Sequence, residues 1–281
     1  GYELSIESDN LTGAFSWTTA FNIAFNRNKV LELGGEEYKE MAEGDGHLKT
    51  GSVRRLIVGE PIGVFYGYRF DGIFQNEEEC KQQTSSASPI GVGLRRYKDL
   101  NGDGKVDAAN DREILGDANP KFFGGLTNTF AYKGFELNVF LQYSYGNKIL
   151  NYNAMELENP TGGQNAYADM VNRWTPENPS NIYPKATTNR ALLVSDRFIE
   201  DGSYLKLKTL SLSYSFPKIN LKHIQGLRLY VTGQNLLTWT KYRGYDPEVS
   251  YRGASTLEAG EDFGGYPQSR TFMFGIKLDI K

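Results

Sequence analysis

AFSWTTAFNIAFN, residues 14–26, puts Phe15, Trp17, Thr19, Phe21, Ile23 and Phe25 on one parity and Ala14, Ser16, Thr18, Ala20, Asn22, Ala24 and Asn26 on the other. Successive side chains of a strand point to opposite faces, so this stretch reads as a strand with one greasy face and one small, polar face. The pattern returns at Phe135, Leu137, Val139, Leu141 and Tyr143 against Glu136, Asn138, Gln142 and Ser144. It returns again at Phe272, Phe274, Ile276, Leu278 and Ile280 against Lys277 and Asp279. These runs reach the roughly 9–11 residues that a tilted strand needs to cross a bilayer, whereas strands of soluble domains are usually about 5–6 residues long.

The connections are of two unequal kinds. Short ones are expected at Asp9–Thr12, Lys133-Gly134 and Pro217–Gly226, and long ones over 27–61, 147–202 and 240–268. Short turns on one rim and long loops on the other mark an outer-membrane barrel. With the short turns periplasmic, strands 2–9, 14–26, 121–132, 135–146, 203–216, 227–239 and 270–280 alternate consistently, and the chain ends in the periplasm. PIGVFYGYRFDGIFQ (61–75) also reads as a strand, but a crossing there would invert the rim of Lys133-Gly134, so 27–120 is placed as an extracellular excursion. In 203–216, Leu205 and Leu207 share one parity while Leu210, Leu212, Tyr214 and Phe216 share the other. Either a bulge lies near Thr209 or the upper part, with Lys206 and Lys208, stands above the apolar band; the second reading is preferred. Seven strands with open edges are not tolerated in lipid, so 1–281 is expected to be part of a larger barrel.

Composition adds limits. The 281 residues carry a net charge of -3, which gives no basic field for a nucleic acid. Eighteen Tyr, 16 Phe and 31 Gly fit strands joined by turns. Cys80 is the sole cysteine, His47 and His223 are too far apart for a zinc motif, and no nucleophile elbow or phosphate loop occurs. GYELSIESDN (1–10) reads as a strand already under way and shows none of the basic, apolar or cleavage regions of a secretory signal, so Gly1 is not expected to be the native start. The acids Glu156 and Glu158, or Asp196, Glu200 and Asp201, are expected in solvated loops rather than in a glycosidase dyad. Loop aromatics, including Tyr152, Tyr167, Trp174, Tyr183, Tyr242, Tyr245, Tyr251 and Tyr266, are suited to stacking on sugars, to a lid or to partner packing, and Trp239 and Tyr242 equally to an interfacial girdle.

One motif stands apart. YKDLNGDGKVDAAND (97–111) places Asp99, Asn101, Asp103, Gly104 and Lys105 at positions 1, 3, 5, 6 and 7 of a calcium loop, with Asp107 at 9, Asn110 at 12 and Asp111 one beyond. Ca2+ ligands would be Asp99, Asn101, Asp103, the Lys105 carbonyl, Asp107 and Asp111, and the ion would act as a structural clip. An Asx-rich turn that binds nothing is the competing reading.

GVFYGYRFDGIFQ, the stretch from YKDLNGDGKVDAAND through FELNVFLQYSYGNKILN, SYLKLKTLSLSYSFP and LRLYVTGQNLLTWTKYRGYDPEV together resemble the SusC/RagA-like TonB-dependent outer-membrane transporters, over most of the chain from about residue 60. The resemblance implies the C-terminal part of a barrel of 22 strands, a plug and TonB-box region N-terminal to it through which the TonB complex acts, and a SusD-like surface lipoprotein as partner. It also implies import of an oligosaccharide or a peptide without enzymatic chemistry. The terminal GIKLDIK departs from the aromatic ending common in such barrels. The alternative from another class is a soluble secreted, calcium-stabilised carbohydrate-binding β-protein.

Overall fold

In a computed structural model of the chain, residues 1–41, 44, 47–48, 50–159, 165–188, 192–216, 224–248, 251, 253, 255 and 257–280 are described. Seven long strands form one antiparallel sheet in chain order: β1 (Tyr2–Thr12), β2 (Phe15–Phe25), β3 (Phe122–Tyr132), β4 (Phe135–Tyr145), β5 (Tyr204–Ser215), β6 (Ile224–Thr240) and β7 (Thr271–Ile280). These match the seven expected crossings to within a few residues. Residues 61–75 contribute Val64–Gly67 and Phe70–Ile73, which pair with Glu113–Asp117 and Arg95–Tyr97 and stay outside this sheet.

Two local expectations are corrected. The first turn is not at Asp9–Thr12: β1 runs through Thr12 and the reversal falls at Gly13-Ala14, with a register shift between Asp9 and Leu11. In β5 the bulge exists. Leu207 pairs with Leu141 and Thr209 with Phe140, which leaves Lys208 as the extra residue. Past it, Leu205, Leu207, Leu210, Leu212 and Tyr214 all share one face, so the apparent break in parity disappears. The Lys133-Gly134 turn is a two-residue hairpin with positive φ at both positions (46° and 88°), the twist that closes a tight hairpin. Of the connection expected at Pro217–Gly226, residues 217–223 lie outside the described residues, as does His223, and Ile224–Gly226 already belong to β6.

The register stacks apolar residues in rows across the sheet. Ile6, Phe21, Leu126, Leu141 and Leu207 form one row, and Leu137, Leu212, Val231 and Phe274 form another. Many of these side chains are exposed; Phe274 is 82% and Ile276 69% accessible. Among the described residues, every buried hydrophobic side chain belongs to the segments between the seven strands, while the buried polar side chains within those strands are Lys206, Ser213 and Thr232. The core proper joins Leu48, Val53 and Phe65 to Leu150, Met155 and Phe198. Three distant segments are pinned there by Arg54, whose Nε donates to Glu261 Oε1 at 2.9 Å, whose Nη1 donates to the Gly63 carbonyl at 2.6 Å, and whose guanidinium stacks 4.1 Å from the Phe65 ring.

Candidate functional site

The polar face of the sheet meets the long connections at β5. Lys206 stands opposite Gln142 and Thr238 and is almost fully buried. Its ammonium donates to Asp246 Oδ1 at 2.6 Å and to Glu248 Oε2 at 2.5 Å, and Lys208 adds a bond of 3.0 Å to the same Glu248 oxygen. Glu248 Oε1 accepts from Gln142 Nε2 at 3.1 Å and from the Tyr204 hydroxyl at 3.2 Å. Two lysines against two carboxylates make a neutral clasp between the wall and the segment after β6. Burial is the largest single influence and works to raise the Asp246 and Glu248 carboxyls, but the lysine hydrogen bonds and charges, with the Glu248 and Gln268 amides on Asp246, together outweigh it and hold both below the usual range.

A second cluster lies between the connections. Glu158, 0% exposed, accepts from Arg197 at 2.6 Å on Oε2 and from Arg243 at 2.9 Å on Oε1. Arg243 also reaches Glu200 at 2.8 Å, and Asn151 donates to Glu200 at 3.0 Å. The expectation of solvated acids fails for Glu158 and Glu200: they are structural counterions, held by arginines from other segments. Tyr242 is likewise not a girdle residue, being buried with its hydroxyl 2.5 Å from Asp262, whereas Trp239 stays half exposed on the apolar face.

The calcium-type residues are brought together in one loop but divide their work. Asp99 accepts from the Gly102 and Gly104 amides, both at 2.7 Å, and Asp103 from the Lys105 amide at 2.8 Å. Asp107 caps the Ala109 and Asn110 amides and pairs with Lys105 Nζ at 3.0 Å. Asp111 is fully buried and clamps the amides of Leu100 and Asp107, each at 2.7 Å, so it closes the loop upon itself. Among the described residues no group of three or more acidic, histidine or cysteine side chains converges on one point.

No family model matches the chain. It is 39% identical over 285 residues to the TonB-dependent receptor P3 of Formosa agariphila, covering 99% of this chain and 28% of that protein. It is 26% identical over 293 residues to the TonB-dependent receptor SusC of Bacteroides thetaiotaomicron, covering 26% of it. The chain is related to a segment of the SusC/RagA-like TonB-dependent receptors. A solved RagAB peptide transporter matches the fold with a TM-score of 0.75 at 24% identity, over 98% of this chain and 28% of that one. This receptor segment therefore spans little more than a quarter of the length of the relatives it matches. Its seven strands are a portion of a transmembrane β-barrel, and the soluble-domain alternative falls with its exposed apolar rows.

The clasp has a defined pH dependence. Asp246 and Glu248 are depressed below their ordinary 3.8 and 4.5, so their contribution is complete above those values and is lost as pH falls through the depressed ones. In the full-length receptor, hydrogen exchange of 242–248, corrected for intrinsic rate, is expected to hold level from neutral pH to about pH 5 and to rise below about pH 4. Lys206→Met, which strands Asp246 and leaves Glu248 with Lys208 alone, is expected to open the segment by ~3 kcal/mol at neutral pH and by progressively less below about pH 4, where the carboxyls protonate; exchange unchanged in that variant at neutral pH counts against the clasp.

Proposed function

We propose that the chain forms part of the wall and outer surface of a TonB-driven outer-membrane importer, whose cargo is an oligosaccharide or another glycan fragment received with the help of a SusD-like lipoprotein. The observation that carries this reading is the inversion of burial: apolar side chains face outward from the sheet while the packed core sits in the connections. The height agrees. Phe135 and Tyr145 bracket the eleven residues of β4, and at about 3.3 Å per residue and a tilt of about 40° that strand rises ~25 Å, the height of the apolar band of such barrels. Segments 26–121, 146–203 and 241–270 then stand on the extracellular side, with the Gly13-Ala14 and Lys133-Gly134 turns and the end of β7 in the periplasm. Coupling to the TonB complex runs through parts of the protein outside these residues. Tyr245 and Tyr266, 79% and 89% exposed, offer rings for stacking on a sugar and support the glycan cargo. The transporter whose fold matches is named for peptides, which makes peptide the second cargo to test.

The loop 99–111 is read as a calcium clip on the extracellular excursion 27–120. The donor set on the accessible side of the loop is Asp99, Asn101, Asp103 and the Lys105 carbonyl, whereas Asp111 is fully buried with both oxygens on amides inside the loop. It is an all-oxygen set on a tight turn, with positive φ at Gly102 and Gly104, suited to a hard cation.

Three outcomes are expected. Val139→Arg, next to mid-height on the outward face, destabilises the full-length receptor in lipid by ~2–4 kcal/mol, and Asn138→Arg on the opposite face by much less; equal costs in equilibrium unfolding would sink the membrane reading. A strain lacking the receptor gene regains uptake of labelled oligosaccharides when complemented, and Tyr245→Ala with Tyr266→Ala lowers that uptake several-fold; uptake of peptides alone makes the cargo a peptide. Chelation, or Asp99→Ala with Asp103→Ala, speeds proteolysis within 76–120 by about tenfold while the barrel stays intact, and unaltered cleavage rules the clip out.

A further inference from the structure

A cavity of about 40 Å3 opens among the connections, between Ser88, Leu94, Arg95, Tyr97, Asn159 and Leu192. Arg95 is nine-tenths buried, yet among the described residues no carboxylate pairs with it. Its Nη2 donates to the Glu158 carbonyl at a long 3.3 Å, its guanidinium lies 5.6 Å from the Phe198 ring, and its buried Nε has no partner. An ordinary buried arginine has its charge matched and its donors filled, because an uncompensated buried cation is costly. Here the local count falls short: three guanidiniums, Arg95, Arg197 and Arg243, share two carboxylates, Glu158 and Glu200, and both oxygens of Glu158 are taken by Arg197 and Arg243. Burial pulls the Arg95 guanidinium below its usual range and the neighbouring Arg197 adds to the effect. The missing element is one negative charge.

We propose that this cavity binds a single carboxylate, held by Arg95 and by the hydroxyl of Tyr97, which lines the same space. Size selects the ligand. One water needs roughly 10–15 Å3, so a space of about 40 Å3 suits a small planar group such as a carboxylate and is too small for a whole sugar ring. A planar guanidinium with a free Nε is shaped for a carboxylate in a two-point grip. The carboxylate is supplied by a small free ion or by the acidic end of a longer guest, and because the proposal concerns an anion rather than the imported cargo, it stands or falls apart from the transport reading.

The test is hydrogen exchange on the full-length receptor in detergent, read at amides 94–97 and 185–187, with sodium acetate against MES, a bulkier sulfonate, at equal ionic strength. Acetate is expected to slow exchange about tenfold at ten times its dissociation constant, with no effect of MES and none of acetate in Arg95→Met. Tyr97→Phe, which keeps the ring and removes one donor, is expected to shift the acetate midpoint to higher concentration without changing exchange in its absence. Triglycine and its C-terminal amide separate the sources: protection by triglycine at lower concentration than acetate assigns the end of a longer guest, equal midpoints assign the free ion. No protection by either carboxylate, or equal protection by MES or by the amide, overturns the proposal.

Discussion

A strand has a period of two, so one unpaired residue exchanges its two faces, and everything in this chain depends on keeping the same face outward across seven strands. Backbone pairing holds that parity row by row from Ile6 to Leu207 and from Leu137 to Phe274. The bulge at Lys208 is the instructive case. The extra residue realigns Leu205 and Leu207 with the leucines below, and Lys208, the bulged residue itself, joins Lys206 on the Glu248 carboxylate. The irregularity that repairs the outward face therefore lies within the inward clasp.

With the greasy face turned away, the sheet has no core of its own, and the connections must supply one. They do so with ordinary apolar packing around Phe65, Leu150 and Phe198, stitched by ions drawn from distant segments: Arg54 with Glu261, Arg243 with Glu158 and Glu200, Lys206 with Asp246. Buried ion pairs contribute less to net stability than their geometry suggests, because desolvation offsets attraction, but breaking one partner is expensive. Such pairs are better at fixing which segment lies against which than at making the assembly tight. That suits long connections with little regular secondary structure, whose mutual placement no ladder of backbone bonds determines.

This division explains what was legible in the sequence. Period-two alternation exposed all seven strands, because lipid-type and polar side chains sort by parity at every residue, and the Lys133-Gly134 hairpin was marked by its turn chemistry. The first turn was misplaced because Asp9 and Asn10 carry turn residue types, although the reversal needs only Gly13-Ala14. The ionic clusters were hidden for a different reason. Lys206 was conspicuous, but its acids lie forty residues on, and Glu158 finds its arginines at 197 and 243, separations with no local signature. The acidic loop was readable as a motif, while the burial of Asp111 and the use of each acid to hold backbone amides emerged only in three dimensions.

The ~25 Å rise of β4 has a mechanical consequence. Hydrogen-bonded strands barely shorten, whereas hydrocarbon chains deform readily. Where the surrounding bilayer has a core of about 30 Å, the lipid beside this wall must thin by several ångströms, at a cost of fractions of a kcal/mol per Å. Membranes of lower native thickness avoid that cost, so the spacing between Phe135 and Tyr145 acts as a gauge that favours one membrane over another, independent of any targeting signal.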